Sequence, residues 1–391
     1  MDFNKKVLIY VDKDCLKPTG GAAGYNYNLY KGLSEIGAHN FYYLENTDMN
    51  RNRIKKMKDS FFKKKLFVVL RIINYYLLLN KKNGYAKVEL KNYDIVHFHN
   101  VKDMYEARSS LKEYKGIVIL TSHSPKPFSY EIYEDVISSF ERKVFGRMYR
   151  KLIVMEKYAF DRADYIIFPC EDAEEPYYKK WAQYKNVHER NKDKYRYLLT
   201  GTSKCEAKIS KNVYRKRVGI KDDSFVISYV GRHNSTKGYD SLKRIGIKLL
   251  ENKNIYFLIG GKEEPLKRLN HNNWIEVGWT NDPHSLINAS DIFILPNEET
   301  YFDLVMLEVL SLGKVVVASE TGGNKQFEKM NASGIFLYSS EDEAIRIINY
   351  LMNMEKEELI ELGNKNKKLY NNNFCNKIFA KNYIDILNSM W

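Results

Sequence analysis

Short apolar runs recur along the chain, each closed by a polar or breaking residue and followed by a stretch of helical period. Lys6 to Val11 (KVLIYV) is the first; Asp94 to Phe98 (DIVHF), Ile117 to Thr121 (IVILT) and Tyr165 to Pro169 (YIIFP) follow, with Arg196 to Thr200 a weaker fifth. A second series starts at Phe225 to Val230 (FVISYV). It continues through Tyr256 to Gly260, Trp274 to Gly278, Ile292 to Leu295, Val315 to Ala318 and Gly334 to Tyr338. Runs this short and this uninterrupted predict buried strands, and the helical stretches between them predict βαβ units of a parallel sheet. Tyr27, Leu29, Leu33 and Ile36 mark the inward face of a first helix, and residues 130–160 read as amphipathic and helical. Ala163-Asp164 precedes the Tyr165 strand and Ala289-Ser290-Asp291 the Ile292 strand, as expected if two similar sheets occur in one chain. The fold class predicted is α/β, with two Rossmann-like domains.

The pattern is densest between Asp291 and Lys325 (DIFILPNEETYFDLVMLEVLSLGKVVVASETGGNK). Pro296 stops the strand and a polar loop, Asn297 to Tyr301, follows. Leu304, Val305, Leu307, Val309, Leu310 and Leu312 then form an apolar helix ended by Gly313. Asp303 is placed to cap that helix. A second strand leads into Thr321-Gly322-Gly323. In parallel sheets ligands bind beyond the carboxyl ends of the strands, where this loop and this turn both fall. Free amides at a helix start, with a glycine turn beside them, suit a phosphate. Glu308 lies in an otherwise apolar helical run and needs a partner; a sugar hydroxyl is a good one.

Charge and size add to this picture. A chain of 391 residues has room for two cores. The net charge of +14 favours anionic partners: nucleic acid, acidic lipid or a phosphate-bearing substrate. Much of the excess lies in 51–91, where thirteen Lys and Arg from Arg51 to Lys91 face only Asp59 and Glu89. Between them stand Phe61-Phe62, Leu66 to Leu70 and Ile72 to Leu79. Basic residues flanking apolar ones predict a helix lying on an anionic membrane surface, the alternative being a core helix with a solvated flank. No recognition motif for nucleic acid accompanies the charge, so none is expected as a partner. Cys15, Cys170, Cys205 and Cys375 lack metal-ligand spacing and read as free thiols of a reduced compartment. Neither a signal peptide nor a membrane span is visible.

Three further elements fall at predicted strand ends. Gly20-Gly21 and Gly24 follow the first strand; they are either a tight turn or a loop that lets a ligand approach the backbone. His123 follows Ile117 to Thr121 and can donate to a phosphate or sugar oxygen. Gly231-Arg232-His233-Asn234-Ser235-Thr236-Lys237-Gly238 follows Phe225 to Val230; Arg232 and Lys237 can clamp a diphosphate and neutralise charge on a leaving group.

Taken together, the run Thr300-Tyr301-Phe302-Asp303-Leu304-Val305-Met306-Leu307-Glu308 with Gly322-Gly323 resembles the donor-site signature of retaining glycosyltransferases of family 4, which have the GT-B fold. Their pattern is E-G-F-G-L-V-x-L-E. Glu308 matches its second glutamate, assigned there to the donor ribose; Thr300 replaces the first, and Tyr301 and Asp303 replace the glycines. The 231–238 loop matches the family's G-R-x-x-x-x-K-G, and Thr121-Ser122-His123 its T-x-H element beside the donor sugar. His97 and His99 match its H-x-H strand end, more often structural. The strand Trp274 to Gly278 stands where the family holds the nucleobase through backbone groups. The resemblance thus implies catalytic roles for His123, Arg232, Lys237 and Thr300. It implies donor binding by Gly20, Gly21, Arg232, Lys237, Gly278, Thr300, Phe302, Leu304, Val305, Glu308, Asn324 and Lys325.

It further implies transfer of a sugar, with retention, from a nucleoside-diphosphate donor such as a UDP-sugar to a glycan or lipid-linked acceptor in capsule, O-antigen or other surface-polysaccharide assembly. No metal or other cofactor is expected, because Arg232 and Lys237 supply the neutralising charge. The implied layout is an acceptor domain over 1–205, a nucleotide-sugar domain over 206–373 and a terminal helix, 374–391, returning to the first, with the two sheets facing across a cleft. The 51–91 segment would hold the protein peripherally on the inner face of the cell membrane. Two alternatives remain open at this point: a non-catalytic GT-B subunit that binds a glycan or partner transferase, and a GT-B sugar-nucleotide epimerase.

Overall fold

The computed structural model of the chain describes residues 3–45, 70, 73–123, 126–136 and 146–391. They form two six-stranded sheets in which every neighbouring pair runs parallel. The first holds β1 (Val7–Asp12), β2 (Phe41–Leu44), β3 (Ile95–Phe98), β4 (Ile117–Thr121), β5 (Tyr165–Phe168) and β6 (Tyr195–Tyr197), in the order β2-β1-β3-β4-β5-β6. The second holds β7 (Phe225–Val230), β8 (Ile255–Gly260), β9 (Trp274–Gly278), β10 (Ile292–Leu295), β11 (Val315–Ser319) and β12 (Ile335–Tyr338), in the order β12-β11-β10-β7-β8-β9. These are the two parallel α/β sheets that the apolar runs predicted.

Every residue of β3, β8 and β10 is buried, which is why these strands read as continuous apolar runs. In the second sheet, Ile227 and Tyr229 of β7 pack with Phe257, Ile259, Ile292 and Ile294 on one face. Val226 packs with Leu258, Leu286 and Ala289 on the other. The strand β2 escaped the sequence reading because it is a half-exposed edge strand, Phe41-Tyr42-Tyr43-Leu44, without a clean pattern.

The chain divides into two compact units: Met1–Phe168 with Pro176–Leu198 and Tyr383–Trp391, and Pro169–Glu175 with Leu199–Asn382. In each sheet the strand order reverses once, between β1 and β3 in the first and between β7 and β10 in the second. At such a reversal the loops leaving the two strands diverge and open a crevice at the carboxyl edge.

Residues 130–160 read as helical, and their described parts are helical. The described parts are a turn at Phe128–Tyr130, a π-helical stretch at Glu131–Val136 and a helix at Gly146–Arg162. The buried Glu156 carboxylate of that helix accepts from the amides of Phe128 at 2.6 Å and Ser129 at 3.0 Å, which ties the Phe128–Tyr130 turn to it.

Most of the basic 51–91 segment lies outside the described residues. Within it, 73–80 are helical, with Tyr75 and Leu78 buried and Ile73, Tyr76 and Leu77 exposed. No described helix is long and apolar enough to cross a membrane. All four cysteines are free thiols.

Candidate functional site

The loop after β7 lies against the loop after β10. Gly238 sits at φ +64, and a Cβ there would run into the carbonyl oxygen of Pro296, so only glycine allows this approach. Thr236 O accepts from the amides of Glu298 at 3.1 Å and Glu299 at 3.4 Å. Lys237, carried by the first loop, puts its Nζ 2.6 and 2.8 Å from the two oxygens of Asp303 in the second. The Asn297 side-chain amide donates to the same carboxylate.

This corrects the expectation for Asp303. It precedes the helix Leu304–Ser311 but makes no side-chain capping bond, because its carboxylate is turned to Lys237 and Asn297. The amides of Leu304 and Val305, at the first two helical positions, therefore have no acceptor among the described residues. Arg232 is exposed and has no ion pair among the described residues. Its neighbour His233 is buried and stacks on Tyr239 at 3.8 Å; burial pushes its imidazole down to about 4.

Thr300 is 1% exposed, and its Oγ1 has no hydrogen-bond partner among the described residues. Gly322 and Gly323 press onto it: a Cβ on Gly322 would meet Thr300 O, and one on Gly323 would meet Tyr301 O. Asn324 is buried and donates to Ser319 O at 2.9 Å, holding the turn to the end of β11. Lys325 Nζ lies 2.9 Å from Glu175 Oε2, and the Gly322 amide donates to that same oxygen at 2.9 Å. Glu308 stands on its helix with Oε2 3.7 Å from His284 Nε2. The Phe302 ring stacks on Phe327 at 5.5 Å and packs on Phe374 at 6.0 Å, inside an aromatic core. Gly278 closes β9 at φ +75, and Trp279 beside it is 78% exposed.

The second unit thus gathers Arg232, Lys237, Thr300, Leu304, Val305, Asn324 and Lys325 on the loops and turns leaving β7, β10 and β11, with Glu308 on the helix between β10 and β11. Gly278 leaves β9, beyond β8 from them. The sequence reading missed Glu175, His284 and Asn297. Each is a single polar residue in a stretch without motif spacing, and only its contact in space marks it.

Gly20, Gly21 and His123 belong to the first unit, at the same kind of edge. Gly21 precedes the helix Ala22–Glu35 at φ +71, and both glycines are exposed with open space where a Cβ would lie. His123 follows β4, and its Nε2 shares a 2.8 Å hydrogen bond with His99 Nδ1. The His99 and His123 rings stack at 5.1 Å, and His97 and His99 lie 4.1 Å apart. His97 is also bonded to Tyr383 Oη and Thr121 Oγ1, each at 2.8 Å. Burial holds all three imidazoles neutral, pushing His97 and His123 down to about 3 and His99 well below its usual value. A neutral His123 bonded through Nε2 offers Nδ1 to a ligand as a hydrogen-bonding group, without a charge.

A family model described as "Glycosyl transferases group 1" matches residues 210–372. The UDP-Gal:alpha-D-GlcNAc-diphosphoundecaprenol alpha-1,3-galactosyltransferase of Escherichia coli is 27% identical over 39% of this chain and 42% of its own length. An O-antigen biosynthesis glycosyltransferase of Escherichia coli is 21% identical over 80% of this chain and 83% of its own. The chain spans about half the length of the first curated relatives it matches, 50% and 42%. The crystal structure of Anabaena HepE in complex with UDP and glucose superimposes over 99% of this chain and 100% of that one. The TM-score is 0.61 and the identity 14%, a likeness of fold alone.

Proposed function

We propose, from the premise that this chain belongs to the group 1 glycosyl transferases and has their GT-B fold, that it moves a hexose with retention from a UDP-sugar to a lipid-linked glycan acceptor. The observation that carries the reading is the edge between β7 and β10. There Arg232 and Lys237 lie on one loop, and the unaccepted amides of Leu304 and Val305 open the helix that follows the other. Amides at a helix start favour a phosphate through both hydrogen bonds and the helix dipole. An exposed guanidinium can bind two phosphate oxygens at once. Glu308, farther along the same helix with His284 beside it, is the group we assign to the donor ribose hydroxyls.

In the reaction we propose, the bond from the anomeric carbon to the diphosphate oxygen breaks. The acceptor oxygen forms its bond on the same face, and its proton passes to the departing phosphate. Arg232 and Lys237 take up the charge that develops on the leaving group. No cofactor or metal enters this scheme, and Thr300 needs no carboxylate to serve it. The donor is proposed as UDP-linked because HepE binds UDP and glucose and the Escherichia coli relative uses UDP-Gal. The acceptor is proposed as diphosphate-linked to a polyprenol because that relative's is.

Thermal shift against UDP, GDP, ADP and their sugars tests the donor site. A nucleoside diphosphate at about a hundred times its dissociation constant should add about 2.7 kcal/mol. If none stabilises the protein, the donor-site reading fails. The acceptor implies work at a membrane surface, and the exposed Ile73, Tyr76 and Leu77 beside Lys81 and Lys82 fit one. Co-sedimentation with vesicles containing anionic lipid, but not with neutral ones, is expected; equal binding to both would contradict an electrostatic contribution.

A further inference from the structure

Glu175 ends the segment Pro169–Glu175, which belongs to the second unit and lies outside both motifs of the donor site. Its Oε2 accepts from the Gly322 amide at 2.9 Å and lies 2.9 Å from Lys325 Nζ. The side chain is 22% exposed. A second contact holds the segment in place, Asp172 Oδ2 to Lys329 Nζ at 2.7 Å. Gly322 opens the 3-10 turn Gly322–Lys325 that follows β11. An amide and an ammonium converging on one oxygen is the arrangement by which proteins hold an anion. Here the anion is a side chain of the same protein.

Lys237 is in the same state, with both Asp303 oxygens within 2.8 Å of its Nζ. Of the cations along this edge, Lys237 and Lys325 are thus matched by internal carboxylates, while Arg232 is exposed and unmatched among the described residues. The Gly322 amide has one hydrogen and cannot serve Glu175 and a phosphate oxygen at full strength together. A carboxylate left in place would also repel the incoming charge.

We propose that Glu175 is an internal counter-ion of the glycine turn, and that the diphosphate of the donor binds by taking the Gly322 amide and Lys325 from it. The proposal rests on the reading of this edge as a donor site and adds a residue to it. The exchange selects for concentrated charge. A diphosphate can replace a carboxylate on these donors, whereas a neutral nucleoside gains nothing from them.

The test is Glu175→Gln, which keeps the shape and removes the charge. Affinity is measured by calorimetry for whichever of UDP, GDP and ADP stabilises the wild-type protein most, and for the matching nucleoside. The variant is expected to bind the diphosphate five- to tenfold more tightly and the nucleoside unchanged. Lys325→Ala in the same background should remove that gain. An unchanged or weaker diphosphate affinity overturns the proposal. Should Glu175→Gln melt far below the wild type, a crystal structure of the wild-type protein with the diphosphate bound decides instead. Gly322 N on a phosphate oxygen supports the exchange, and Glu175 still in contact with both donors overturns it. A wild-type protein that binds no nucleoside diphosphate removes the donor-site reading and this proposal with it, a failure seen before any variant is made.

Discussion

Arg232 and Lys237 carry the same charge on one loop but stand in opposite states. Arg232 is exposed and has no ion pair among the described residues, so its loss should leave the fold intact. Arg232→Ala is expected to weaken nucleoside diphosphate binding by about ten- to a hundredfold, from charge-assisted bonds worth about 1.5–3 kcal/mol, without moving the melting temperature. Lys237→Ala should do both. It leaves Asp303, whose side chain is 18% exposed, without its cation, and should lower stability by about 1–3 kcal/mol in urea titration. Equal melting temperatures for the two variants would contradict this division. Both cations were legible from the sequence because their spacing is local. The role of Asp303 was misread because Lys237, the partner that draws its carboxylate from the helix, is 66 residues away. Glu175 is farther still, 147 residues from Gly322, in a polar and aromatic stretch that carries no periodic signal.

At the scale of elements, the strands were legible because burial on both faces leaves only apolar residues to choose from. Residues 225–230 and 292–295 were bounded correctly for that reason. The edge strand β2 was not, since its backbone is fixed by pairing with β1 rather than by a pattern of its own. The contact between the β7 and β10 loops makes a sharp prediction. Gly238→Ala adds a side chain at φ +64 and drives it into the Pro296 carbonyl, and should cost more than about 2 kcal/mol. Gly278→Ala, strained at φ +75 but with open space around it, should cost about 1 kcal/mol. Comparable urea midpoints for the two would show that the loops do not press on each other as described.

At the scale of the molecule, the first unit carries an acid-sensitive set of groups. Its unfolded chain takes up protons on His97, His99 and His123 near pH 6.5, while the folded chain refuses them until far lower pH. The unfolded state then binds more protons, so stability falls as pH drops from about 6.5 toward 3. Glu156 acts in the opposite sense. Burial pushes its carboxyl up to about 7, so the folded state keeps a proton that the unfolded chain gives up near pH 4.5. Its contribution is therefore lost as pH rises through that window. Across the full chain, where burial also depresses His233 and raises the Glu276 carboxyl, four imidazoles against two carboxyls leave stability rising with pH between 5 and 6.5, at about 1.4 kcal/mol per pH unit for each proton in excess. Urea titrations of the full chain across that range should show the rise, and His99→Asn should flatten it; a flat wild-type profile would contradict the buried, neutral cluster.

The helix Asn376–Asn388 has a consequence for the order in which the protein takes shape. Its residues from Tyr383 onward belong to the first unit, where Tyr383 and Leu387 are fully buried and Tyr383 Oη is bonded to His97. During synthesis, the unit whose strands leave the ribosome first must therefore wait for a helix made after the whole of the second sheet. The later unit has its whole sheet in hand by Tyr338. Nascent chains arrested after Asn373 should accordingly resist protease over residues 210–372 while their first half is still cut.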